Sequence, residues 1–215
     1  MTNIKVLANL LIIIPTLIGL STIKIINKQY LLFLWFLIAG TLNEIIFIIF
    51  KSTIAGQFYA IAESQLMLAL LFAWDKNRYI FNERVITHIV FLIFSFIDIH
   101  CIVNHIYETR WMHLTLLGVL SFYAIAIINQ LLSKDEKSKS TISKLFILIP
   151  FVVFNIYYII LKILMGLLFT KTNQQLFINL YEVVIVINVL SYLSYSYALL
   201  IAPKRDSFLK HELNT

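Results

Sequence analysis

The sequence predicts an all-α protein, a polytopic bundle of seven transmembrane helices, and three observations lead there. Hydrophobic residues make up 60% of the chain and charged residues only 13%, whereas a soluble domain carries roughly 45–50% and about 25%. The apolar residues lie in long continuous runs of about the 20 residues that a membrane span requires. Those runs do not alternate apolar with polar positions and are too long for barrel strands. Mean hydropathy is +0.89, which excludes both a water-soluble globule and a disordered chain.

The spans follow in order. Val6–Ile26 is the first. Its core Leu10–Leu20 has the length of a signal-peptide core, but no small-residue cleavage site follows, so it is expected to stay as a helix. Pro15 and Gly19 inside it are residues that membrane helices tolerate. After Asn27-Lys28-Gln29 comes Tyr30–Phe50, then Ala55–Trp74, which ends at Asp75-Lys76-Asn77-Arg78. Val85–Val103 and Trp111–Leu132 are the fourth and fifth. The basic stretch Ser133–Lys144 is expected as a loop before Leu145–Phe169, and Leu176–Ala202 closes the set. Residues 1–203 then form one transmembrane domain and 204–215 a short tail.

Charge orients the bundle. With seven spans, the face holding the N-terminus receives Lys5, Lys51, Arg110, Lys162 and Lys171, and the opposite face receives the other twelve of the 17 Lys and Arg. The positive-inside rule puts the N-terminus outside and the C-terminus in the cytoplasm. A multi-pass protein of a bacterial inner (plasma) membrane is expected. The pI of about 9.3 calls for no nucleic acid, because basic loops beside anionic lipid account for it. Membrane lipid is therefore one expected partner. A cytoplasmic protein held by Ser133–Lys144 and the tail Pro203–Thr215 is a second, and association of identical chains is a third.

Ionisable side chains within spans are functional candidates by default. Helix direction places Glu44, Glu63 and Glu182 in the outer part of the second, third and seventh spans, with Asp98 and His105 at the outer end of the fourth. Asn155 lies mid-span in the sixth. On the seventh, Tyr181, Asn188, Ser191, Tyr192 and Tyr195 form one helical face at i, i+7, i+10, i+11 and i+14. Glu63, Glu182, Glu44, Asn155, Asn188, Asp98 and His105 thus form a candidate outward-facing pocket for a cation, a proton or a small polar ligand. Glu63 and Glu182 are expected to face inward and to find donors such as Asn43, Asn155, Tyr181 or Gln65. A structural reading stands beside this one, with the carboxyls as interhelical hydrogen-bonding groups or as partners of a helix N-terminus.

The motifs point away from an enzyme. No GxSxG, Walker loop, GxGxxG, HExxH or HxxxH occurs, so no catalytic residue, metal ligand set or cofactor is expected. Asp98, Cys101 and His105 share a face at i, i+3 and i+7, but the outer two are separated by about 10 Å along the axis. The single Cys101 excludes an intrachain disulfide. The last span lacks the His pair of seven-helix amidases and the Lys of microbial rhodopsins.

Two segments, Phe58-Tyr59-Ala60-Ile61-Ala62-Glu63 and Phe177-Ile178-Asn179-Leu180-Tyr181-Glu182, both place Glu five residues after Phe at the start of inward-running spans. A parallel three-plus-one-plus-three duplication, as in small sugar facilitators, would make them equivalent. Leu42-Asn43-Glu44, Ile61-Ala62-Glu63 and Leu180-Tyr181-Glu182 followed by Asn188 also resemble a family of uncharacterised small seven-helix bacterial membrane proteins. That resemblance implies the fold over nearly the whole chain and no known activity. The leading functional expectation is a non-enzymatic sensor or accessory component of the plasma membrane. The alternatives are a small transporter or oligomeric channel, and an intramembrane hydrolase or a membrane effector of a bacterial defence system.

Overall fold

The computed structural model describes residues 8–50, 53–75, 81–103, 111–133, 138–168 and 174–204. His105, most of the interhelical loops and residues 205–215 of the tail lie outside the described residues. Within them the chain is helical: α1 (Ile13–Thr22), a short 3-10 turn (Lys28–Tyr30), α2 (Leu31–Phe50), α3 (Thr53–Trp74), α4 (Phe81–Val103), α5 (Trp111–Leu132), α6 (Lys139–Leu168) and α7 (Gln174–Ile201). The protein is thus an all-α bundle of seven helices. Five helices are long and apolar enough to cross a membrane, and the apolar stretches Ala8–Thr22 and Phe58–Trp74 are shorter.

Two elements depart from the expected boundaries. The first span was expected as Val6–Ile26, but among the described residues a turn at 11–12 separates a helical stretch at 8–10 from the regular helix Ile13–Thr22. Pro15 has no N–H and its ring crowds the carbonyl four residues back, at Leu11. The backbone tightens at that point into i→i−3 bonds, with Leu11 N donating to Ala8 O and Ile14 N to Leu11 O at 3.2 and 3.0 Å. The second departure is Ser133–Lys144, expected as a loop. Its second half is the start of α6, because the Ser138 hydroxyl accepts from Thr141 N at 3.2 Å and caps the first turn. That turn is built into the bundle: Ser143 is fully buried and donates to Ala198 O at 2.7 Å.

The helices close a ring. α1 packs on α2, α2 on α3, α3 on α5, α5 on α6, α6 on α7, and α7 returns to α1; α4 lies outside against α3 and α5. Gly19 sits where the ring closes. A Cβ there would meet Leu34 Cδ1 and lie 3.4 Å from Leu199 Cδ1, so the glycine lets α1 approach both α2 and α7. Gly19→Leu is expected to lower folded yield and melting temperature, since overpacking costs about 1–3 kcal/mol or more. Gly118→Ala is the control, because nothing lies within 4 Å of its Cβ position. Fluorescence-detected size-exclusion melting of both variants checks this, and equal melting would show that α1 does not lock the ring.

Neighbouring helix ends define direction. Asn27 N donates to Pro203 O at 3.0 Å, and Ile26 pairs with Lys204 in an isolated antiparallel bridge. Trp74 Nε1 donates to Gln29 O at 3.2 Å, Gln130 Nε2 to Asp75 Oδ1 at 3.1 Å, and Tyr30 OH to Ser140 O at 3.2 Å. The α1–α2 turn, the ends of α3, α5 and α7, and the start of α6 therefore share one end of the bundle. In this half the ring is filled by apolar side chains, among them Phe33, Leu37, Leu68, Leu71, Leu120 and Leu148, all at most 1% exposed. The outer surface is as apolar as the core: Phe50, Phe122 and Leu167 are 70% or more exposed.

Candidate functional site

In the half of the ring away from the α1–α2 turn, the apolar filling stops and a cavity of about 240 Å³ opens. Three helices line it with the same i, i+3, i+4, i+7 spacing, which is the repeat of one helical face. On α3 the positions are Gly56, Tyr59, Ala60 and Glu63; on α6 they are Phe151, Phe154, Asn155 and Tyr158; on α7 they are Asn188, Ser191, Tyr192 and Tyr195. α2 contributes Phe36, Gly40 and Glu44, at i, i+4 and i+8. His113 and Leu117 of α5 and Ile12, just ahead of α1, complete the wall. Gly40 brings neighbouring elements close together: a Cβ there would stand 2.6 Å from Ile12 Cδ1 and 3.2 Å from the Tyr59 hydroxyl.

The polar groups of this wall come from helices far apart in sequence. Glu44 and Glu63 are half-buried, and Glu44 accepts from Asn9 Nδ2 at 3.2 Å, which ties the stretch before α1 to α2. Asn155 is only 1% exposed, and neither atom of its amide has a hydrogen-bond partner among the described residues. A buried amide without partners costs about 1–3 kcal/mol, so this side chain is held at an energetic disadvantage facing a polar space. The Ser191 hydroxyl donates to Ile187 O at 2.8 Å, so its proton is already engaged. Tyr195 packs edge-on against Phe33 at 5.1 Å, which joins the floor of the cavity to the apolar half below.

Glu44, Glu63, Asn155 and Asn188 all line this cavity. The other expected members do not join them. Asp98 is buried at 5% exposure but lines a separate void of about 10 Å³ with Ala60, Ile61, Ser95, His113 and Leu116. That is near the smallest volume that holds one water. His113 borders both spaces and stands, with Ala60, between Asp98 and the carboxylates. Glu182 was expected to face inward, but it is exposed and absent from the wall. The inward stripe of α7 passes through Asn188, and six residues of helix rotate by about 600°, which leaves Glu182 on another face. Tyr181 is not on the wall either and packs beside Leu161, Phe177 and Val184. His105 lies outside the described residues.

The expected donors also moved. Gln65 turns to α4, where its Oε1 lies 2.7 Å from His88 Nδ1 and its Nε2 donates to His88 O at 3.4 Å. Asn43 Oδ1 is buried with no partner among the described residues, and Asn43 is not on the wall. The suggested duplication fails as a structural equivalence. Phe58 is 64% exposed while Glu63 lines the cavity; Phe177 is 5% exposed while Glu182 faces outward. The paired motifs present opposite faces to the bundle.

The seven candidates did not include His113, Tyr59 or Tyr158, although His113 opens the fifth span on its outer side and Tyr158 shares a face with Asn155 and Lys162 at i, i+3 and i+7. The signal for Tyr59 was the i, i+3, i+4, i+7 run Gly56, Tyr59, Ala60 and Glu63 on α3. Chemically the wall offers carboxylates, amides and phenols for binding. Among the described residues no three His, Cys, Asp or Glu side chains gather as a metal would require. Comparison with known proteins adds nothing to this geometry: no family model, no curated protein and no solved structure matches the chain.

Proposed function

We propose that this protein is a multi-pass integral membrane protein of a bacterial plasma membrane, with its N-terminus outside and its C-terminus in the cytoplasm, and that it acts as a receptor-type sensor or accessory component. The observation that carries the receptor reading is the cavity itself. Glu44, Glu63, Asn155 and Asn188, drawn from four helices, converge on one space inside the ring. The apolar exterior supports the membrane assignment, since soluble monomers rarely expose patches beyond a few hundred Å². The excess of Lys and Arg on the loops of the α1–α2 end supports the orientation. The same basic end offers anionic lipid or a cytoplasmic protein its contacts, and signalling passes to a partner there.

The apolar plug favours a receptor over a channel. A conducting path along the ring axis would pass between Phe33, Leu37, Leu68 and Leu148, which are close-packed and at most 2% exposed. The cavity is therefore closed toward the α1–α2 end by packed apolar side chains. The carboxylates, amides and phenols of the wall suit reversible binding of a polar ligand.

Two measurements test the proposal. Reporter domains fused after the C-terminus are expected to be active only if they work in the cytoplasm; an external C-terminus overturns the orientation. In a Cys101→Ala background, Ser191→Cys is expected to react with membrane-impermeant thiosulfonates added outside intact cells, and not when they are added only to the cytoplasmic face of inverted vesicles. Labelling from the cytoplasmic face alone, or none from either, overturns the outward pocket.

A further inference from the structure

We propose that the cavity selects a small organic ammonium ion that also carries a neutral hydrogen-bonding group, of the amino-alcohol type. This rests on the pocket reading above and narrows it to a ligand class. The first argument is charge. The wall holds two carboxyl side chains, Glu44 and Glu63, and among its described residues no Lys or Arg. Lys162 lies over the Tyr158 ring at 5.4 Å and is not itself on the wall. Carboxylates in a largely apolar enclosure gain from a bound cation, and an anion or an amino-acid carboxylate would face two like charges with, among the described wall residues, only the His113 imidazole to set against them.

The second argument is the shape and chemistry of the remaining wall. Seven aromatic rings line the cavity: Phe36, Phe151, Phe154, Tyr59, Tyr158, Tyr192 and Tyr195. Such faces attract organic ammonium groups, with their C–H and N–H surface, better than strongly hydrated metal ions. A 150 Å³ apolar cavity accommodates benzene, so about 240 Å³ admits an organic molecule of roughly ten non-hydrogen atoms and is far too large for a bare ion.

The third argument is Asn155. Its Oδ1 lacks a donor and its Nδ2 lacks an acceptor among the described residues, at 1% exposure and on the wall. An ammonium N–H can donate to Oδ1 while a ligand hydroxyl accepts from Nδ2. One molecule of this class therefore satisfies the carboxylates, the aromatic faces and both halves of the amide together.

The test uses the full chain in lipid nanodiscs and the ω-amino alcohols from 2-aminoethanol to 6-aminohexanol. Matched diols, matched alkylamines and ω-amino acids serve as comparators, with binding followed by thermal shift and calorimetry. Amino alcohols are expected to bind saturably and the diols and amino acids not to bind. Glu63→Gln should weaken amino-alcohol affinity by about tenfold to a hundredfold, the range of one lost charge-assisted hydrogen bond. Asn155→Leu should weaken amino alcohols more than alkylamines, because only the former use Nδ2. A second arm needs no reversible ligand. At Ser191→Cys, a cationic thiosulfonate should react faster than an anionic one of similar size, and Glu44→Gln with Glu63→Gln should bring the two rates together. Diols or amino acids binding as well as amino alcohols, with equal rates for the two reagents, overturns the ammonium assignment while the outside labelling of Ser191→Cys still upholds a pocket. Failure of that labelling together with all binding overturns both.

Discussion

Asn155→Leu will melt above the wild-type protein and will lose its ligand response. Both effects have one cause. The wild-type amide is buried at 1% exposure with neither its donor nor its acceptor engaged among the described residues. Leu is close to Asn in volume and has no polar atom, so the substitution removes a penalty of about 1–3 kcal/mol. For a chain of this size that corresponds to roughly 2–10 °C in melting temperature. Gain of stability with loss of function is the mark of a residue kept for binding. Asn155 of a purely structural network would behave in the opposite way, since breaking satisfied hydrogen bonds destabilises. Thermal melting of the purified variants, with cellular response measured in parallel, separates the cases. A lower melting temperature for Asn155→Leu would place the amide in an internal network and remove it from the site.

Glu63→Gln is expected to insert and fold normally while losing response to the ligand. Glu63 stands one turn below Tyr59 on α3 and shares the cavity with Glu44. Gln keeps the length and the hydrogen-bonding capacity and removes only the charge. Glu63→Leu removes both and is expected to cost the same response with a larger change in melting temperature. Glu182→Gln is the internal control, because that side chain is exposed and off the wall, and it should retain full response. Equal responses from wild type and Glu63→Gln would show the cavity carboxylates to be structural groups between α2 and α3. Loss of response in Glu182→Gln as well would point to a surface contact in place of the pocket.

Much of this was legible in the residues. Five of the seven helices lie close to where the apolar runs placed them, because span length is a local property: about 20 residues without a break. The first helix departs because Pro15 acts on the carbonyl four residues before it, a constraint of backbone geometry that hydropathy does not contain. The start of α6 departs because Ser138 caps a helix in a segment whose Lys and Ser composition resembles a loop. Asn188 was found through the α7 stripe, and the same helical wheel already separates Glu182 from it. Ranking Glu182 by depth in the membrane and not by azimuth is what misplaced it.

The sequence alone determined that the chain is helical, how many helices it forms, and where most of them begin and end. Each of these depends on residues near one another in the chain. Only the tertiary structure decided which faces look inward, that α4 stands outside the ring, and that Glu44, Glu63, Asn155 and Asn188 meet while Asp98 is held in a separate void. The physical reason lies in the helices themselves. In a soluble bundle, water forces polar residues outward and the apolar stripe marks the core. Here the exposed faces of α2, α4 and α7 are as rich in Ile, Leu, Val and Phe as the buried ones, so no apolar stripe marks the inner side. Gly19 and Gly40 allow α1 and α2 to approach their neighbours closely, and the packing of the ring as a whole brings four polar side chains from four helices into one cavity.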